Sequence, residues 1–379
     1  MMASTFWRQF SFRLGLAFPI FLASLAVPGV ASASSEAVVF LTSGQLKVQI
    51  DQIAAAHPDK VKVLDIGQTL NNSHLYVLQI GPGKPNTPAV LALFGQHADE
   101  HEGTNLALGL TRWLVDKAEN YAAIANELNK VTIYIAPMIN PDGMDYDLRD
   151  PDDHPGWRKN RSPQENAEFG VDLNRNWGAF WDAPTGSKSL SARIRDSADP
   201  NYRGARPFSE KETQALRGFV LSHSNIRMFV DYHTGSENFM QGAVLLPYSY
   251  GGQAVPSAAK LCAEQLPEQF ASAISNREDS RKPFRAVQAN HMNALAVEQS
   301  PALLKPVMWA ATPTSNASTG TAIDWTASNG LCSMGVEISL RNAQPSRQQE
   351  SRLIEDQSHG LLLLLESLTA KPGLEKNSG

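Results

Sequence analysis

The sequence predicts an α/β fold: a single-domain sandwich in which helices cover both faces of a mixed, mostly parallel central sheet. Short apolar segments with the character of strands alternate along the chain with segments that have a helical pattern. Such alternation is typical of a sheet whose two faces are covered by helices. The chain has no internal repeat and no low-complexity linker, which favours one continuous domain.

The residue pattern predicts the individual elements. Apolar or alternating runs predict strands at Val61–Ile66, His74–Ile80, Ala89–Phe94, Val131–Ala136, Ile226–Tyr232 and Met334–Leu340. Helical patterns predict Gly103–Leu128 with a break near Asn120, a helix from a capping box at Ser209 and Glu212 to about Leu221, and Ser346–Leu368. Residues 141–208 and 276–332 are rich in Pro, Gly, Asn and Ser, and we expect long functional loops there.

The first 33 residues indicate export. Arg8 and Arg13 precede a short apolar run, and small residues ending in Ala31-Ser32-Ala33 follow it. This pattern is typical of a secretory signal peptide, and the run is too short for a comfortable membrane span, which disfavours an uncleaved anchor. We predict a signal peptide at 1–33, a main domain at 34–370 and a flexible tail at 371–379. The mature protein is expected to be secreted or periplasmic and not bound to a membrane.

The charge balance disfavours nucleic acid as a partner. The chain has 33 basic and 38 acidic residues, and without residues 1–33 it keeps 31 basic residues and a net charge near −7. A mildly acidic protein does not attract a phosphate backbone. Cys262 and Cys332 are the two cysteines. They could pair in an oxidising compartment, and two buried free thiols explain them equally well.

Two histidine segments follow predicted strands. His97 and Glu100 come directly after Ala89–Phe94, and His233 comes after Ile226–Tyr232. Functional groups of open α/β sheets gather at the carboxyl ends of strands. Two imidazoles and one carboxylate are good zinc ligands, and three protein ligands leave a position open for catalysis. A lone His-x-x-Glu is weak evidence, and a histidine at a strand end is more often structural.

Charged residues elsewhere in the sequence are of the types that an enzyme acting at the C-terminal end of a peptide needs. Arg158 and Arg175, with Asn174 beside the latter, lie in loop-rich sequence. The guanidinium group matches a carboxylate and can also stabilise a developing oxyanion. Glu337 interrupts an apolar strand, which is costly unless the carboxylate is paired or functional. A glutamate beside an activated water can take its proton. Solvated surface arginines and a strand with one wet face are the simpler alternatives.

The ordered set resembles the carboxypeptidase A-like zinc carboxypeptidase family over nearly all of the sequence after residue 33. The resemblance implies that His97, Glu100 and His233 bind one Zn²⁺ ion per chain. It also implies that Asp172 orients His97. The main domain at 34–370 is then a catalytic domain. Asn140-Pro141-Asp142-Gly143 and the segment 202–210 are similar to family segments as well.

The resemblance also implies a reaction. Arg158 would polarise the scissile carbonyl, Asn174 and Arg175 would hold the terminal carboxylate of the substrate, and Glu337 would be the general base. The implied activity is hydrolysis of the C-terminal peptide bond by zinc-promoted water. Ile323, in the pocket segment Ile323-Asp324-Trp325, implies an apolar C-terminal side chain. The expected partner is a peptide with a free C-terminus, and the enzyme is expected to be a monomer.

Three features depart from the family pattern. Asn316 stands where the family has a mobile active-site tyrosine, and no tyrosine follows Tyr250. Asp99 replaces an arginine that many members use upstream of the cut, which suggests a positive charge in that part of the substrate. Few residues separate position 33 from helical sequence near Leu41. We therefore expect no folded activation domain, and an enzyme that is active without further proteolysis.

Three alternatives remain open. His97-x-x-Glu100-His101 also fits an inverted zinc motif, in which His97 and His101 bind the metal of an endopeptidase and Glu100 is the base. The same fold could act on cell-wall peptides at a bond beside diaminopimelate. A third possibility is a binding module without catalysis, which the presence of Glu337 and Arg158 disfavours.

Overall fold

A mixed sheet of eight strands organises the computed structural model, which describes residues 38–149, 156–183, 193–234, 243–247, 266–274, 285–288, 319–338 and 345–370. The strands are β1 Val61–Gln68, β2 His74–Ile80, β3 Ala89–Leu93, β4 Thr132–Ala136, β5 Ile226–Thr234, β6 Ala243–Leu246, β7 Arg285–Gln288 and β8 Cys332–Ile338. Their order across the sheet is β1-β2-β4-β3-β5-β8-β6-β7. The central strands β4, β3, β5 and β8 run parallel, and β1, β2 and β6 join by antiparallel pairing.

Helices cover both faces of the sheet. They are α1 Ser43–Ala56, α2 Glu102–Asn120, α3 Ala122–Leu128, α4 Pro141–Arg149, α5 Lys211–Ser222, α6 Leu266–Ala273, α7 Ala322–Ser328 and α8 Arg347–Ala370. Side chains of α1, α2, α6 and α8 pack in one apolar core on one face. Side chains of α5 and α7 pack in a second core on the other face. The predicted fold class, a mixed and mostly parallel sheet between helices, is confirmed.

The strand period divides β5 between the two cores. Met228, Val230 and Tyr232 belong to the first core, whereas Phe229 belongs to the second. Ile226 also belongs to the second core, because the register with β3 shifts between Ile226 and Met228. Successive side chains of a strand point to opposite faces. Asp231 and His233 therefore lie on the same face of the strand as Phe229. On that face, polar side chains at the end of the strand follow buried apolar ones.

The six predicted strands and the break near Asn120 are confirmed to within a few residues. The capping box is wrong: α5 begins after Glu210, which makes no side-chain cap. The hydroxyl of Ser209 instead accepts a hydrogen bond from Asn176 and donates one to Glu210. The hydroxyl that the capping motif would use is therefore engaged in a tertiary contact with Asn176.

Two stretches predicted as loops contain regular structure. Pro141 begins α4, where a fixed φ angle and a missing N–H group are tolerated, and Asn140 caps it by accepting a hydrogen bond from the Gly143 N–H group at 3.1 Å. Thr321 caps α7 through its hydroxyl. β6 and β7 were not predicted, because four-residue strands give a weak pattern.

Several expectations fall outside the described residues: the signal peptide at 1–33, Asn316 and the tail at 371–379. Cys332 is disulfide-bonded, and Cys262 also lies outside the described residues. Within the part of the chain that the structure describes, every helix is too short or too polar to span a membrane.

Candidate metal centre and active site

The carboxyl ends of β3 and β5 bring His97 and His233 together. The two strands pair in parallel with Leu93 opposite Asp231, and the chain leaves β3 through Gly95. The φ angle of Gly95 is 63°, and a Cβ atom there would lie 3.3 Å from Met138 Cα. Glycine therefore permits both the left-handed turn and the close approach. The turn delivers His97 to the edge of the sheet where β5 ends.

His97, Glu100 and His233 form a buried cluster. One ligand atom from each lies within 4.8 Å of the others. Glu100 places Oε1 2.6 Å from His97 Nδ1 and Oε2 3.0 Å from His233 Nδ1. The N–H group of Thr234 donates to Glu100 Oε2 at 3.1 Å and holds the carboxylate in place. The three residues that sequence analysis selected as ligands thus converge on one point.

The donor chemistry of the cluster fits a metal cation. The two Nδ1 atoms lie 3.1 Å apart, while His97 Nε2 lies 3.2 Å from Asp172 Oδ1 and His233 Nε2 lies 3.0 Å from Asp231 Oδ2. A neutral imidazole that donates from Nε2 has a lone pair at Nδ1. Two lone pairs and a carboxylate then face one another, an arrangement that a cation stabilises. Two histidines and one glutamate match a catalytic zinc site.

The charged groups of the cluster shift one another's pKa values: the pKa of the carboxylate falls and the pKa values of the histidines rise. Burial raises the pKa of Glu100, but the two histidines lower it by more, so the net pKa is well below the usual value. Burial and Arg158 lower the pKa of His97, but Glu100 and Asp172 raise it by more. Burial lowers the pKa of His233, whereas Asp231 and Glu100 raise it far above its usual value. Cationic charge at this point is therefore favoured by the surrounding carboxylates.

Asp172 links the cluster to Arg158. One oxygen faces His97, and the other accepts a hydrogen bond from Arg158 Nε at 3.0 Å. Burial raises the pKa of Asp172, but Arg158, Arg175 and His97 hold it well below the usual value. Arg158 is partly exposed, and its guanidinium nitrogen lies 3.9 Å from Glu100. A fixed positive charge therefore stands beside the candidate metal position.

Asn174 and Arg175 lie in a single 3₁₀ turn, Leu173–Arg175, but they face different surroundings. Arg175 is partly exposed, and Glu337 and Asp324 lie within range of its charge. The Asn174 side chain is buried: its oxygen accepts from the Ala322 N–H group at 2.9 Å, and its nitrogen lies 3.3 Å from Asp231 Oδ2 and 2.9 Å from His233 Nε2. Arg175 is thus the charged and more exposed residue of the two, and its Nη1 donates a hydrogen bond to the Asn174 carbonyl at 2.7 Å.

Ile323 is buried on α7 in the apolar core that also contains Trp177 and Trp325. The residue that precedes it is tied to the site, because the N–H group of Ala322 donates to the side-chain oxygen of Asn174. Ile323 thus lies near the 3₁₀ turn and contributes apolar surface rather than charge.

Glu337 is next to His233 across the sheet. The two residues are paired in register between the parallel strands β8 and β5, so their side chains point to the same face. Glu337 is partly exposed. Burial raises its pKa, and Glu100 raises it further, whereas His233, His97 and Arg158 lower it; the net shift is upward. A carboxylate with a raised pKa is suited to accepting and returning a proton.

Asp231 contacts the cluster through His233, and Gln96 contacts Asp231; sequence analysis selected neither residue. Gln96 Nε2 donates to both oxygens of Asp231 at 2.8 Å, and Gln96 Oε1 accepts from Trp177 Nε1 at 3.1 Å. The only signal in the sequence was Asp-x-His within an apolar strand. A spacing of two places both side chains on one face of a strand.

Comparisons with known proteins identify a family. A family model described as zinc carboxypeptidase matches residues 46–358. Mast cell carboxypeptidase A of Homo sapiens is 30% identical over 242 residues, 62% of this chain and 52% of that protein. Carboxypeptidase B of Rattus norvegicus is 31% identical over 207 residues, 54% of this chain and 46% of that protein. In these pairings the chain spans about half the length of the relatives it matches.

Solved structures share the fold. Carboxypeptidase A from Helicoverpa armigera aligns with a TM-score of 0.68 and 22% identity, over 87% of this chain and 74% of that one. Bovine thrombin-activatable fibrinolysis inhibitor, in complex with tick carboxypeptidase inhibitor, aligns with a TM-score of 0.64 and 21% identity, over 88% of this chain and 98% of that one. The match of the family model over most of the chain, together with the shared fold, shows that this chain belongs to the zinc carboxypeptidase family.

Proposed function

We propose that the protein is an exported zinc metallocarboxypeptidase that hydrolyses the C-terminal peptide bond of peptides. One observation carries the proposal: the buried cluster of His97, Glu100 and His233 lies beside two partly exposed arginines and Glu337. Cleavage at a free C-terminus requires a metal position, a carboxylate beside that position, and a binding site for the terminal carboxylate of the substrate.

The proposed roles follow from charge and position. His97, Glu100 and His233 would hold one zinc ion, which supplies a Lewis acid for activating water and polarising a carbonyl group. Glu337 accepts a proton from the attacking water and passes it to the leaving amine. Arg158, held by Asp172, places positive charge where the oxyanion develops.

Substrate binding is assigned to Arg175, Asn174 and Ile323. The guanidinium group of Arg175 pairs with the terminal carboxylate of the peptide, which determines the bond that is cut. Asn174 would have to turn its amide away from Asp231 and Ala322 to join that contact. Ile323 supplies an apolar surface for the last side chain. We also propose that the enzyme is a monomer and that it acts on peptides with a free C-terminus.

Export is part of the proposal. We assign residues 1–33 to a signal peptide, 34–370 to the catalytic domain and 371–379 to a tail, and place the mature protein outside the cell or in the periplasm. The disulfide at Cys332 supports an oxidising compartment. The mass of the protein recovered from the exported fraction tests this: we expect the loss of residues 1–33, and recovery of the uncut chain from the cytoplasm would contradict it.

A peptide-library digest analysed by mass spectrometry tests the activity. Each peptide is supplied as the free acid and as the C-terminal amide, with and without a chelator. We expect single residues to be released from the acids, little cleavage of the amides and no cleavage with the chelator. Equal cleavage of acids and amides, or internal cuts, would overturn the proposal. A preference for peptides that end beside diaminopimelate would instead support the cell-wall alternative.

A further inference from the structure

Asp231 is an acid inside a buried strand. It lies in β5 opposite Leu93 of β3 and Gly335 of β8, and only 1% of its surface is exposed. Burying an ionised carboxylate costs free energy unless donors surround it. This acid therefore needs partners, and their identity indicates what it does.

Three donor groups surround the Asp231 carboxylate. Gln96 Nε2 donates to both oxygens at 2.8 Å, Asn174 Nδ2 donates to Oδ2 at 3.3 Å, and His233 Nε2 lies 3.0 Å from Oδ2. The amide groups of Gln96 and Asn174 can only donate through these nitrogens. Asp231 is thus an acceptor in all three contacts, and we assign the hydrogen of the 3.0 Å contact to His233 Nε2. Asn174 Nδ2, which also lies 2.9 Å from that nitrogen, then donates to Asp231 Oδ2 rather than to the ring.

We propose that Asp231 is a positioning residue for His233, whose hydrogen it holds on Nε2 so that the Nδ1 lone pair points into the metal centre. The inference rests on the proposed zinc site. Each histidine of the cluster lies within hydrogen-bonding distance of a separate buried carboxylate, Asp172 for His97 and Asp231 for His233. A carboxylate behind a ligating imidazole fixes both its tautomer and its ring orientation.

A purely structural role is the competing explanation. Asp231 also anchors Gln96, which precedes His97 and binds Trp177. If that anchor were its whole purpose, cutting the link from the Gln96 side would weaken the metal site just as much. If Asp231 acts through His233, the link to Gln96 can be cut while the metal site is retained.

The test compares Asp231→Asn with Gln96→Met. An asparagine can present its amide nitrogen to His233 Nε2, which moves the histidine hydrogen to Nδ1 and blocks the metal. Gln96→Met keeps a similar volume, removes the hydrogen bonds to Asp231 and does not touch His233. Zinc affinity is measured by chelator competition on protein purified with zinc present. Thermal unfolding of the metal-free form is measured in parallel, because a structural role would change that property in both variants.

We expect Asp231→Asn to weaken zinc binding about 10- to 100-fold and Gln96→Met to change it only a few-fold. Asp231→Glu keeps a carboxylate and should therefore bind zinc more tightly than Asp231→Asn does. It also provides a test if Asp231→Asn does not fold. Equal losses in Asp231→Asn and Gln96→Met, or parent-like zinc affinity in Asp231→Asn, would overturn the inference. A parent protein that binds no zinc would overturn the proposed function instead, so the two failures are distinguishable.

Discussion

His101 Nε2 lies 2.9 Å from Asp147 Oδ2, on α4, whereas His97 faces Glu100 and His233. The two histidines of the His-x-x-Glu-His segment therefore serve different surroundings. An inverted zinc motif needs both of them at one ion, with Glu100 free to act as a base. Here Glu100 lies between His97 and His233, in the position of a ligand.

The first prediction separates these two interpretations by metal content. We expect His101→Ala to keep its zinc and much of its activity, because it loses contacts with Asp147 and Phe40 and removes no proposed ligand. Glu100→Ala and His233→Ala should lose most of their zinc, because a ligand is removed. Inductively coupled plasma mass spectrometry of the purified variants gives the zinc content. Zinc lost in His101→Ala but kept in the other two would reject the ligand set.

The second prediction concerns Glu337. Glu337→Gln should lower kcat by about 10²- to 10⁴-fold, the usual contribution of a general base. Its zinc content should be unchanged, because Glu337 is proposed as a base and not as a ligand. Steady-state kinetics and metal analysis on the same preparation check both points. If zinc is lost together with activity, Glu337 belongs among the ligands and its assigned role is wrong.

The third prediction concerns recognition of the terminal carboxylate. Arg175→Ala should lose a charged hydrogen bond of about 2–3 kcal/mol, which is roughly a 30- to 160-fold loss of kcat/KM for free-acid peptides. The activity on C-terminal amides should change little, since they lack the charge that Arg175 is proposed to bind. Arg206→Ala is the control, because Arg206 is exposed and plays no part in the site. A loss of the same size on acids and amides would contradict the role.

The fourth prediction concerns pH and Glu212. This residue is 2% exposed; one oxygen accepts from Asn160 at 3.2 Å, and the other has no hydrogen-bond partner among the described residues. Burial is the main cause that raises its pKa from 4.5 to about 8. The folded state therefore holds the proton more tightly than the unfolded state does. Its contribution to stability is fully present below pH 4.5 and is lost as the pH rises through about 8.

Glu212→Gln removes this dependence, since glutamine stays neutral. Between pH 5 and pH 9 we expect the variant to lose less stability than the parent, by at least about 1.4 kcal/mol, the equivalent of one pKa unit. Thermal and urea unfolding at both pH values measure the difference. Asp59→Asn, at an exposed acid, is the control and should follow the parent. A variant whose stability falls with pH as steeply as that of the parent would show that Glu212 ionises freely in the fold.

Local patterns were sufficient for much of the fold. The runs that became β3, β4 and β5 are apolar along most of their length, and a buried parallel strand requires that pattern wherever it lies in the sheet. Short strands such as β6 gave too few residues for a period to be visible. α4 was mistaken for a loop because Pro141 and Gly143 are turn residues as well as residues of a helix start, and only the cap by Asn140 decides between the two.

The sequence by itself determined the chemistry available at the strand ends, because His97, Glu100 and His233 follow apolar runs and parallel strands end at one edge. Tertiary structure alone decided which partners those side chains meet. Gln96 and Asp231 are 135 residues apart, and Asn174 and Ala322 are 148 apart. Contacts at such separations leave no period or spacing in the chain. They arise only when the sheet brings its strands together, so the orientation of Asn174 and the carboxylate behind His233 became visible only in the folded protein.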